Sequence, residues 1–166
     1  VHALRGVDLS VETGEFVALM GPSGSGKTTL LNMIGGLDLP TSGKVEIEGN
    51  DLSKMSSGAL SDLRMERLGF IFQSYNLIPV LSAYENAEFV LLLQGMGATE
   101  RTKRVMDTPA SVGLQGMENR RPNELSGGQQ QRVAVARAIA GRPAPILAAE
   151  PPTNLHSQTG NPLIRL

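Results

Sequence analysis

The sequence has no cysteine, which excludes disulfides, zinc–thiolate sites and thiol catalysis and fits a reducing compartment. It has no apolar run near the ~20 residues that a membrane-spanning helix requires. The longest run, Phe89-Val90-Leu91-Leu92-Leu93, falls far short. It has no excess of charge of either sign, with 15 Lys and Arg against 16 Asp and Glu. A phosphate-backbone binder needs a basic face, so nucleic acid is not an expected partner. Internal repeats and low-complexity tracts are also missing. The chain opens on Val1 instead of Met, in the lead-in to a strand pattern. The natural N-terminus is therefore expected to lie upstream, and the lack of a leader carries no information.

What is there has the balance of a globular chain, 40% hydrophobic and 19% charged. Its 166 residues are one domain's length, enough to bury roughly 70% of the surface exposed on unfolding. The opening reads as β structure. Residues 7–11 alternate apolar and polar, 12–15 make a turn, and 16–20 form an apolar run. A glycine-rich loop and a helical pattern over residues 27–34 follow. Residues 44–48, closed by Gly49 and Asn50, and residues 67–72 read as further strands. The middle is helical, over 85–94 and then from about Thr99 until Pro109 stops it. A third helix runs from Ser126 to Gly141, where glycine suits a left-handed cap, and Ile146-Leu147-Ala148 reads as a short buried strand.

Gly21-Pro22-Ser23-Gly24-Ser25-Gly26-Lys27-Thr28 fits G-x-x-x-x-G-K-[ST]. Glycines let the main chain curl until successive N–H groups face a phosphate, where a Cβ would clash. The following helix aims its positive end at the same place. Lys27 is expected on the terminal phosphates and the Thr28 hydroxyl on Mg²⁺, so ATP is the expected ligand. A chance glycine-rich turn would not bring strand, lysine, hydroxyl and helix in this order.

A phosphate loop alone leaves kinases, GTPases and motor ATPases open. Leu125-Ser126-Gly127-Gly128-Gln129 narrows the choice. Ser126 and Gln129 have capping-box spacing, which any helix start could show. Two glycines in a first helical turn, however, cost about 1 kcal/mol each relative to alanine. Backbone that must approach an anion closely explains them better.

With both motifs in place, the sequence resembles the ATP-binding cassette (ABC) ATPases over nearly its whole length. Gly21 to Thr29 matches the phosphate loop, Gln73 the Q-loop glutamine, Leu125 to Gln129 the signature, and Glu150-Pro151 the glutamate after the Walker B strand. Residues 72–79, 126–132 and 51–67 look most like the macrolide-efflux and lipoprotein-release exporters. The resemblance implies an α/β fold, a RecA-like P-loop NTPase core with an N-terminal antiparallel β part and an inserted helical subdomain. The core would occupy 1–75 and 143–166, the helical signature part 76–142. The C-terminal part of the core is expected to be missing from this sequence.

The resemblance also implies a head-to-tail pair of ATP-binding domains. Ser126, Gly127, Gly128 and Gln129 of one copy would meet the γ-phosphate held by Gly21, Pro22, Ser23, Gly24, Ser25, Gly26, Lys27, Thr28 and Thr29 of the other. Thr28 and Gln73 would serve Mg²⁺, and Glu150 would be the general base. Residues 75–84 would meet a membrane-embedded permease at the cytoplasmic face of the inner (plasma) membrane; alternatively, Leu77, Ile78 and Leu81 pack inward.

The sequence departs from the family after about Asp107 and again after Ala144. Ala149 stands where the Mg²⁺-orienting aspartate belongs, and His156 where the D-loop aspartate belongs. Loss of such an outer carboxylate typically lowers metal affinity or activity about 10–100-fold, so ATP binding with poor hydrolysis is expected. The family's switch histidine would lie beyond the chain's end and its adenine-stacking aromatic before Val1. Pro109 interrupts a helix that the family continues. Two other functions remain open: a nucleotide-binding module without catalysis, and a non-transport ABC ATPase acting on ribosomes or DNA.

Overall fold

The computed structural model describes residues 4–72, 74–108, 111 and 113–148. They fall into two compact units that divide after Ser61, and each is described by itself.

The first unit holds helix α1 (Lys27–Ile34) and a hairpin of β1 (Glu46–Ile47) with β2 (Asn50–Asp51). The hairpin is antiparallel, with Ile47 opposite Asn50. Its two turn residues both have positive φ, 48° at Glu48 and 79° at Gly49, the conformation whose twist matches that of paired strands. Asn50, expected in the turn, begins β2 instead and donates its Nδ2 to the Ile47 carbonyl at 3.2 Å. Leu52 follows in a 3₁₀ turn (Leu52–Lys54) and is fully buried. Helix α2 (Ser57–Arg67) then leads along the chain into the second unit.

The strands expected over 7–11 and 16–20 do not form. The turn between them does, with Glu15 N donating to Glu12 O at 3.0 Å and Gly14 at φ 82°. Among the described residues no ladder joins its two arms. Alternation makes a strand only where a buried face rewards it, and a lone hairpin is marginal in water. Here Val7, Leu9, Val11 and Phe16 are about half exposed, and Met20 is 83% exposed.

In the second unit β3 (Gly69–Ile71) runs parallel to β4 (Ile146–Ala148), with Phe70 opposite Leu147. The chain between them makes α3 (Ala83–Leu93), α4 (Ala98–Met106) and α5 (Gly127–Ala140). Helix α3 starts two residues earlier than its apolar pattern suggests because Ser82 caps it. Ser82 Oγ accepts from Glu85 N, and Glu85 Oε2 accepts from Ser82 N at 2.7 Å. That backbone N–H, with the Ser82 hydroxyl behind it, holds the Glu85 carboxyl below the usual range. The cap's contribution is thus present above the unfolded pKa and is lost as pH falls through the lowered folded value.

The three helices meet through Ala87, Leu91, Val105, Ala136 and Ala140, and a second cluster joins Ala83, Leu114, Leu125 and Val133. Leu77 packs on this second cluster, while Val80 is 73% exposed. Residues 75–84 therefore turn one side inward and one outward.

Two glycines of this unit have roles set by packing. Gly141 was expected as a left-handed cap, but its φ is −72°. The left-handed residue is Arg142, at φ 52°. A Cβ on Gly141 would sit 3.3 Å from Gln94 Nε2, which donates to Met65 O at 2.9 Å. Gly69 lets α5 lie directly on β3, since a Cβ there would fall 2.6 Å from the Ala138 carbonyl oxygen and 2.9 Å from Pro143 Cγ. Gly69→Ala should destabilise the chain by about 1–3 kcal/mol, as overpacking against backbone does. Urea unfolding measures it, and an unchanged midpoint would contradict the close packing.

Candidate functional site

The phosphate loop curls through two left-handed glycines, Gly24 at φ 80° and Gly26 at φ 93°. Ser25 N closes the turn onto Pro22 O at 3.2 Å. Gly21 is a glycine of close approach, because a Cβ there would meet Ser25 Oγ at 2.9 Å. The result brings Gly21, Pro22, Ser23, Gly24, Ser25, Gly26, Lys27, Thr28 and Thr29 into one loop and first helical turn, as the motif implies.

Helix α1 starts without a side-chain cap and without an acid in its first turn. Leu30 N is the first to find a carbonyl inside the helix, on Gly26 at 2.9 Å. The amides of Lys27, Thr28 and Thr29 are left without an intrahelical acceptor. Lys27 adds a formal charge at the same end. Its ammonium is folded back over the loop, donating to Gly21 O (2.7 Å), Pro22 O (2.8 Å) and Ser25 Oγ (3.3 Å). Orphan amides, a helix's positive end and an ammonium make a site for a polyanion. Thr28 is exposed in this turn. Among the described residues no group of three or more His, Cys, Asp or Glu could hold a metal. Thr28 with phosphate oxygens suits Mg²⁺, which binds through few protein ligands and keeps much of its water.

The signature lies at the start of α5. Ser126 caps it, its Oγ accepting from Gln129 N at 3.4 Å while Gln129 Oε1 accepts from Ser126 N at 2.8 Å. The box takes up the Gln129 amide and leaves those of Gly127 and Gly128. Among the described residues nothing requires either glycine. Neither has positive φ, and a Cβ would stand 3.7 Å from Tyr75 Oη at Gly127 and 3.9 Å from Arg132 Nη1 at Gly128, ordinary contacts. Their cost in helix propensity is therefore unmatched by any contact among the described residues. The phosphate loop and the signature belong to different units.

Gln73, Ala149, Glu150 and His156 lie outside the described residues. One group that sequence reasoning missed is Arg137. Its guanidinium reaches Asn76 O at 2.7 Å and Tyr75 O at 2.8 Å. The available signal was an arginine bracketed by Ala136 and Ala138 on the buried side of a helix. Burial lowers its pKa from the ordinary arginine value, and it remains a cation at neutral pH.

Comparison with known proteins follows the same lines. The ABC transporter family model matches residues 4–154. An uncharacterized ABC transporter ATP-binding protein of Thermotoga maritima is 51% identical over the whole chain, which spans 71% of that protein. The macrolide export ATP-binding/permease protein MacB of Mannheimia succiniciproducens is 45% identical over the whole chain, which spans 26% of it. Among solved structures, the dimeric post-hydrolysis state of the MJ0796 cassette bound to ADP and Pi superposes with a TM-score of 0.79 at 46% identity. That match covers 88% of this chain and 65% of the solved one. The α/β P-loop cassette fold implied by the motifs is thereby established for the part of the cassette that the chain spans. The chain belongs to the ABC transporter family of ATP-binding proteins, a family of P-loop ATPases.

Proposed function

We propose that this chain is the ATP-binding part of an ABC-type membrane exporter, coupling ATP binding and hydrolysis to transport. The observation that carries the reading is the pair of glycine-bearing helix starts. One carries Lys27 over uncapped amides, and the other exposes Gly127 and Gly128 for no internal reason. The relatives support it, since MacB is named as a fused ATP-binding and permease protein and the MJ0796 cassette is dimeric.

In this reading a second ATP-binding domain stacks head to tail on the first. The loop from Gly21 to Thr28 wraps the phosphates of ATP, and Lys27 exchanges its contacts with Gly21, Pro22 and Ser25 for β- and γ-phosphate oxygens. Ser126 and the Gly127 and Gly128 amides of the facing domain close over the γ-phosphate. Mg²⁺ would be held by the Thr28 hydroxyl with Gln73 as its further partner, and would neutralise phosphate charge. Glu150 accepts the proton of the attacking water. The exposed side of residues 75–84 docks on a permease at the cytoplasmic face of the inner (plasma) membrane.

Two measurements test this. Titration with ATP, with and without Mg²⁺, should show binding that Lys27→Ala weakens about 10–100-fold, the range for lost charge-assisted bonds. Equal affinity in wild type and Lys27→Ala would reject the phosphate loop as the site. Hydrolysis is slow in this reading because Ala149 replaces a carboxylate. Ala149→Asp should therefore raise turnover about 10–100-fold. No gain would favour a nucleotide-binding module without catalysis.

A further inference from the structure

Tyr75 and Asn76 are consecutive non-glycine residues in the left-handed region, with φ of 59° and 45°. Such a pair persists only where surrounding contacts hold it. The contacts come from far along the chain. Arg137, in the third turn of α5, donates Nη2 to Tyr75 O and Nη1 to Asn76 O. The planar fork addresses the two carbonyls with two separate nitrogens held at a fixed spacing, a geometry that the single nitrogen of a lysine does not reproduce. On its other side the segment is fixed by Asn86 of α3, fully buried. Asn86 Oδ1 accepts from Ile78 N at 2.7 Å, and Nδ2 donates to the carbonyls of Ile78, Leu81 and Ser82.

The Tyr75 side chain goes to the opposite end of α5. Its hydroxyl lies 3.7 Å from the position a Gly127 Cβ would take. The same helix therefore holds the Tyr75 backbone through Arg137 and meets the Tyr75 phenol at its first turn.

We propose that Arg137 is a positioning residue that clamps the left-handed pair and so keeps the Tyr75 phenol against the first turn of α5. Displacement of residues 75–82 is then felt at Gly127. This deepens the function proposed above, and rests on it only for what the signature turn grips. It makes a loop-to-signature linkage that runs within one chain and needs no bound nucleotide.

Hydrogen exchange of the full chain without nucleotide tests it. Arg137→Lys should speed exchange at least tenfold at residues 75–78 and also at 129–132, where Gln129 N is bonded to Ser126 Oγ and Gln130 N to Ser126 O. Residues 88–92 of α3 and 102–105 of α4 should keep wild-type rates. Adding Asn76→Gly, which adopts the left-handed conformation without strain, should return both segments towards wild-type rates. Acceleration at 75–78 alone, acceleration spread evenly through α3 and α4, no acceleration, or no rescue by Asn76→Gly would each overturn the proposal. ATP binding by the wild-type chain, read in the same preparation, judges the proposed function independently.

Discussion

A backbone amide that is to grip a phosphate has to be left free by the protein's own side chains, and it has to sit where nothing bulkier than glycine obstructs the approach. Both halves of the candidate site obey this constraint. At α1 the cap position is Gly26, with no side-chain cap and no acid nearby. At α5 the Ser126 and Gln129 box satisfies those two residues' own amides and leaves those of Gly127 and Gly128. Each start is weaker as a helix end than it could be: α5 loses about 1 kcal/mol for each of its two glycines relative to alanine, and α1 goes without a side-chain cap. The helix bodies must therefore be held by other means. α5 buries Val133, Ala134, Ala136, Ala138 and Ala140, with Gly69 admitting it onto β3. α1 buries none of its residues, and its start is secured by the three bonds from Lys27.

What could be read from the sequence was what local chemistry decides. The phosphate loop, the signature cap and β4 stand where their patterns place them, because glycine conformations and capping bonds are settled within a few residues. The 7–11 and 16–20 segments show the opposite case. The alternation of the first and the apolar run of the second are sound, but a strand is a pairing, and no local pattern says whether the pair is made. Gly69 and Gly141 look like punctuation in the sequence. In the structure they are spaces cleared for Ala138 and Gln94, residues distant along the chain. Ser82 was legible in principle, since Glu85 follows at capping-box spacing. Of the candidate site, Gln73 and Glu150 rest on the family resemblance, while Gly21 to Thr29 and Ser126 to Gln129 rest on geometry as well.

The second unit is also tied by polar groups that no periodicity announces. Asn86 and Arg137 fix the 75–82 segment from two helices. Arg101 of α4 and Glu88 of α3 make a mostly buried pair at 2.7 Å, and Tyr84 Oη, which donates to Glu88 at 3.0 Å within α3, also meets Thr102 Oγ1 of α4 at 2.8 Å. Such groups are expensive to disrupt, because removing one partner strands the others. They confine the outward-facing part of the segment to one geometry and leave it open on its exposed side.

The central claim is that the two exposed glycine amides of α5 exist for an ATP molecule held by another copy. Sedimentation velocity of the wild-type chain and of Gly128→Ala, each with and without ATP and Mg²⁺, tests it most directly. The account expects ATP-dependent dimers from wild type only, with Gly128→Ala remaining monomeric although it is as stable or up to about 1 kcal/mol more stable. Equal ATP-driven dimerisation by Gly128→Ala would contradict the account, because the glycine would then serve no partner beyond its own chain.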